Sequence, residues 1–140
     1  MLAACAAGLF AACNGPQKDG KEKADSANKS VDSTSKVEPN NGVAVSGPDA
    51  KFAVEAANGG MSEVMLGNLA KQKATNPQVK DFGDMMVMDH TKANDEMKQI
   101  AVAKKITLPD SVASEEKKLM ADLSEKQGAD FDQIRQPNLL

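Results

Sequence analysis

The chain has 140 residues, with 17 Lys and Arg against 20 Asp and Glu, a formal net charge of −3. That length allows one domain at most, and so mild a charge excludes an electrostatic footprint for nucleic acid. With four Phe and no Trp or Tyr, the eight Met become the flexible core filler. Both cysteines, Cys5 and Cys13, fall in the first thirteen residues, so the rest of the chain has neither a disulfide nor a thiolate metal site.

The opening stretch, MLAACAAGLFAAC, is apolar and rich in small residues, but too short to span a bilayer. It suits the core of a signal peptide, although no Lys or Arg precedes it, so a true start upstream is an expectation. LFAAC, residues 9–13, has the form of a loose bacterial lipobox, with Cys13 as the residue to be lipidated. LAAC, residues 2–5, has the same form but no apolar core before it. An ordinary cleaved secretory signal is the alternative.

Residues 14–47 change character, with five Lys and five acidic residues among Ser, Asn, Gly and Pro. Such a segment buries too little apolar surface to offset its ordering entropy, so a disordered linker is expected. As a flexible coil it would hold its ends about 30 Å apart.

Beyond residue 48 Lys, Glu, Ala, Met and Leu dominate, and the pattern is helical over 48–140. Pro48 suits the first position of a helix that runs to about Ala74. Asn76-Pro77 reads as an N-cap and first-turn proline, opening a second helix to about Lys104. Leu108-Pro109 breaks the chain, Asp110 or Ser111 can cap a third helix, and Gly128 ends it. A fourth element begins at residue 129 and stops at IRQPNLL.

The second helix carries an apolar stripe of Val79, Phe82, Met86, Ala93, Met97 and Ile100. Asp89 and His90, the latter the chain's one histidine, flank the middle of that stripe. On the first helix Phe52, Ala56, Gly59, Leu66 and Ala70 share a face, with Glu63 near its centre. An antiparallel hairpin turning near residue 75 places Glu63 within about 3 Å, along the axis, of the level of Asp89 and His90. A polar cluster of Glu63, Asp89 and His90 is therefore expected. Gly59-Gly60 costs the first helix about 1 kcal/mol per glycine, which either close helix approach or a break in the helix would explain.

Residues 52–109, FAVEAANGGMSEVMLGNLAKQKATNPQVKDFGDMMVMDHTKANDEMKQIAVAKKITLP, resemble the bacterial domain-of-unknown-function family 4142. The likeness rests on GG-x-x-E-V-x-L-G-x-L-A, V-K-x-F-G-x-x-M-V-x-D-H, K-A-N-x-E-x-K and I-T-L-P in order, and continues through LSEKQGADFDQ, residues 123–133. It covers about residues 49–133. The resemblance implies an all-α, ferritin-like antiparallel bundle, here partial: three helices and a stub after the linker. The family's second Met-Val-x-Asp-His-like motif has no counterpart here, and IRQPNLL looks foreign to it, so a truncated second half is expected. The resemblance carries no activity, but members are often labelled outer-membrane or exported proteins.

A ferritin-like fold invites a di-iron site, which needs a Glu-x-x-His pair; for His90 the position three residues earlier is Val87, which cannot ligate. Copper is the other metal option, because Met86, His90 and Asn94 lie four apart and thioethers with imidazole suit Cu(I). Met at this spacing also reads as core packing, and His90 as a satisfied interface histidine. No nucleophilic triad can be assembled, and acid–base work by Glu63 and His90 lacks a pocket argument.

The expectation is an exported, lipid-anchored or secreted protein of the cell envelope, in periplasm or outer membrane. Its role is binding or structural, without catalysis and without a cofactor; the alternative is a periplasmic copper or iron binder. The partners expected are the membrane, through the anchor, and a second copy pairing through the apolar face of the first two helices. A poorly packed, aggregating product is the other outcome for that face.

Overall fold

The computed structural model describes residues 18–34 and 45–133, with the side chains of 31–34 excepted. The apolar segment with Cys5 and Cys13, and IRQPNLL after residue 133, lie outside the described residues. Among the described residues five helices run in chain order: α1 (Gly20–Thr34), α2 (Gly47–Lys73), α3 (Pro77–Lys104), α4 (Ser114–Ser124) and α5 (Gly128–Asp132). Among the described residues there is no strand, as an all-α bundle requires. No described helix is long and apolar enough to cross a membrane.

The two long helices have the termini that their sequence implies. At the start of α2 the Ser46 hydroxyl accepts the Asp49 N–H at 3.3 Å and donates to the Asp49 carboxylate at 2.7 Å. Asn76 caps α3 by accepting the Gln78 N–H at 2.9 Å, and Pro77 follows where no intrahelical donor is needed. Lys105 ends α3 in the left-handed conformation, with Ile106 N–H reaching back to the Ala101 carbonyl at 2.8 Å. That closure satisfies carbonyls which the last turn would otherwise leave open.

α2 is the hub, since α1, α3, α4 and α5 each pack on it. Nine of its residues are buried against two of α3, Gly83 and Ala101, so α3 lies on the outside of the hairpin. Leu69 and Ala74 of the α2 end, Leu123 of α4 and Phe131 of α5 form the main core cluster, with Leu66, Val79, Leu119 and Met120 packed around it. Burying a Leu or Phe side chain of this kind stabilises by about 1.5–3 kcal/mol, so the cluster is what holds α4 and α5 to the hairpin.

Three expectations are corrected. First, Gly20–Thr34 of the expected linker form a helix on α2: Ala24 is 2% exposed, and Lys21 Nζ lies 2.9 Å from Glu55 Oε1. Asp19 accepts the Glu22 N–H at 2.9 Å, and Asn28 exchanges two hydrogen bonds with the Thr107 backbone, at 2.8 and 2.9 Å. Composition underrates this segment because polar bonds and two small buried residues, Gly20 and Ala24, dock it with little apolar area. Second, α4 begins at Ser114, later than a cap at Asp110 or Ser111 implies, because Pro109, Val112 and Ala113 are buried along the preceding loop. Third, Gly128, at φ +58°, opens α5; α4 has already ended at Ser124.

Candidate functional site

The α2–α3 seam is built from small and polar residues. Gly67 and Gly83 face each other so closely that a Cβ on either would lie 2.7 Å from the other's carbonyl oxygen. One level up, His90 Nδ1 lies 2.7 Å from Glu63 Oε2, both side chains about 30% exposed at 31% and 28%. At the next level Asn94 presses its side-chain oxygen on Gly60, in the space a Cβ would need. Positions 83, 87, 90, 94 and 101 of α3 thus repeat at the three- and four-residue steps of one helix face. Of the apolar stripe read on α3, Val79 packs on the core cluster and Met86 borders Gly67, whereas Phe82, at 49%, and Ile100, at 52%, are exposed beside the seam.

Of the three residues expected to cluster, the fold brings Glu63 and His90 together across the hairpin. Asp89 is exposed and makes no hydrogen bond or ion pair with the described residues. Its one-position offset turns it about 100° from His90, away from α2. Gly60 explains itself by close approach, whereas nothing lies within 4 Å of a Cβ built on Gly59, and α2 runs through both without a break.

Met86, His90 and Asn94 occupy three successive turns, about 12 Å from first to last along the axis. Met86 Cβ packs at Gly67, His90 meets Glu63 and Asn94 meets Gly60, so each side chain has a different neighbour on α2. Met85 and Met88 are exposed, at 46% and 68%. Among the described residues no group of three or more His, Cys, Asp or Glu is placed to hold a metal ion.

The most connected polar side chains are elsewhere, and sequence reasoning did not single them out. Asn58, 4% exposed, accepts the Ala113 N–H at 2.8 Å and donates to Glu116 Oε1 at 2.8 Å, tying α2 to the start of α4. The other carboxylate oxygen of Glu116 is buried with no hydrogen-bond partner among the described residues. Asp19 accepts both the N–H and the hydroxyl of Ser114, at 3.0 and 3.1 Å, so the cap of α4 comes from the far end of the chain. Asp132 accepts the Thr75 hydroxyl at 2.6 Å and the Asn76 N–H at 2.9 Å, bracing the α2–α3 turn. Hydrogen bonds hold both aspartates below the ordinary value of 3.8, led by the Glu22 N–H at Asp19 and by the Thr75 hydroxyl at Asp132. Only Asp19 carried a local signal, the Asp-x-x-Glu spacing to Glu22 that marks a helix start.

These bonds stitch the fold and face no enclosed space. One shallow, open cleft of about 560 Å³ lies beside the α2–α3 turn, lined by Gln72, Lys73, Ala74, Thr75, Gln127 and Gly128. None of Glu63, Met86, Asp89, His90 or Asn94 borders it.

No curated protein and no solved structure matches the chain. A family model described as "Domain of unknown function (DUF4142)" matches residues 34–134, all of α2 through α5 and more than half the chain. The seam that carries Glu63 and His90 lies wholly inside that match, and the chain belongs to the DUF4142 family.

Proposed function

We propose that this chain is an exported, lipid-anchored protein of the bacterial cell envelope, whose helical domain has a binding or structural role without catalysis. The observation that carries the anchoring is the apolar run closed by Cys13, just where polar sequence begins. The role of the domain is supported by the engagement of its polar groups. The one histidine faces Glu63 inside the hairpin seam, and Asn58, Asp19 and Asp132 join helix ends. Groups used this way fix helix positions, whereas acid–base work requires them to face a substrate.

Anchoring at Cys13 places the domain at the periplasmic side of a membrane, inner or outer. A single acyl chain binds membranes only marginally, so a stable anchor carries more than one. Growth of producing cells with a palmitate analogue is expected to tag the protein, and Cys13→Ser to abolish the tag. An untagged wild type released freely from the cells would overturn the proposal.

One observation favours metal binding as a second reading. With Nδ1 of His90 turned to Glu63, Nε2 is the nitrogen left for a ligand, an arrangement in which a carboxylate orients a metal-binding imidazole. Met86, one turn earlier on the same helix, carries a thioether. Metal analysis of protein purified without chelator distinguishes the readings: about one copper, absent in His90→Leu, would replace the structural role of the pair by a ligand role.

A further inference from the structure

α3 packs chiefly on α2, with Val79 at the core cluster, and its flank beside that seam is open. On a 100°-per-residue wheel this flank carries Phe82, Met85, Asp89, Ala93, Glu96 and Ile100, every one exposed. The pattern is near-palindromic about residue 91: aromatic and aliphatic residues at the ends, acidic Asp89 and basic Lys92 on either side of the middle. Neither Asp89 nor Lys92 has an ion pair among the described residues.

We infer that α3 pairs antiparallel with α3 of a second copy of this chain, about a two-fold axis at the level of Thr91. This goes beyond the anchoring proposal and does not depend on it. Antiparallel superposition about that level sets Phe82 against Ile100 of the second copy, with Asp89 over Ala93 and beside Lys92. The two-fold repeats each contact, so two Phe82–Ile100 layers flank two Asp89–Lys92 pairs. Exposed Phe82 and Ile100 are covered, and both central charges meet their opposites. A self-complementary patch of this kind is what an isologous dimer requires. Steps along the flank are of three or four residues, which keeps a helix seam in contact over successive turns. The charges select this register, since a shift by one turn in either direction separates Asp89 from Lys92.

Charge exchange tests the register. Sedimentation velocity is run on the full chain in a nonionic detergent that keeps the apolar segment 1–13 in solution. Wild type is expected to sediment as a dimer. Asp89→Lys alone sets Lys against Lys92, and Lys92→Glu alone sets Glu against Asp89, so each variant is expected to lose the dimer. An equimolar mixture of the two restores opposite charges in both central pairs and is expected to recover it. Both positions are exposed, and far-UV circular dichroism verifies that each variant keeps its helices. A monomeric wild type overturns the inference and leaves the flank to a different protein. Variants that self-associate as well as wild type overturn it too, because association would then be apolar and without register.

Discussion

Asp132 shows how much one carboxylate can organise when its acceptor oxygens meet free backbone donors. The α2–α3 turn leaves the Thr75 and Asn76 N–H groups outside both helices, and Asp132 reaches them from α5. The Thr75 hydroxyl contributes most to holding the Asp132 carboxyl below 3.8; desolvation opposes it, and the Asn76 and Thr75 N–H groups add to the lowering. A lowered folded-state value stabilises the fold above the unfolded value and loses that contribution as pH falls through the folded one. Asp132→Ala is therefore expected to lower Tm at pH 7, with the gap to wild type narrowing only below pH 3.8, by thermal melts across the acid range. Glu63 and His90 present a different case, because each is the other's partner in a half-open seam. Such a pair contributes at most about 1 kcal/mol, so it fixes the level of the hairpin more than it stabilises it.

At the scale of the helix, the seam of the hairpin is set by where side chains are absent. Gly67 and Gly83 let two backbones meet, and a Cβ on either would overlap a carbonyl that cannot rotate away. Gly67→Ala is expected to destabilise by about 1–3 kcal/mol, outweighing the gain of about 1 kcal/mol in helix propensity. Gly59→Ala, where a Cβ would meet only open space, is expected to stabilise by about that propensity gain. Urea denaturation of the two variants measures the opposite signs. Equal effects would mean that the helices do not approach at Gly67. Gly60 lies between these cases, since what a Cβ would meet there is the movable end of Asn94.

For the molecule as a whole, α2 is covered on two sides, by α3 along one and by α1, α4 and α5 along the rest. α1 is docked through few groups: buried Gly20 and Ala24, the Lys21–Glu55 pair with α2, and the Asn28 bonds to Thr107 in the loop after α3. Lys21 is raised above its ordinary 10.5, chiefly by its bond with Glu55, so this pair persists throughout the neutral range. A segment with so few buried contacts opens more readily than the hairpin core. Ala24→Arg is expected to release the amides of 20–34 to fast hydrogen exchange while those of 53–70 stay protected. Loss of protection in both segments together would mean that α1 is part of the cooperative core.

What the sequence determined by itself is local. Ser46 with Pro48 and Asn76 with Pro77 carry the starts of the long helices in side chains adjacent to the termini they serve. The level of Glu63 and His90 followed from counting residues to the turn, because a helix rises uniformly. Other features arose from contacts between residues far apart in the chain. Composition marked residues 18–34 as linker, yet Asp19, Asn28 and Ala24 find their partners on α2, Thr107 and Ser114. Asn58 and Asp132 carry no local sign of their roles, since the backbone donors they satisfy lie 55 and 57 residues away. The wheel identified an apolar stripe on α3, but α2 packs on the neighbouring glycine face instead. Close backbone approach at Gly67 and Gly83 favours that seam, and periodicity of apolar residues is blind to a contact made by residues without side chains.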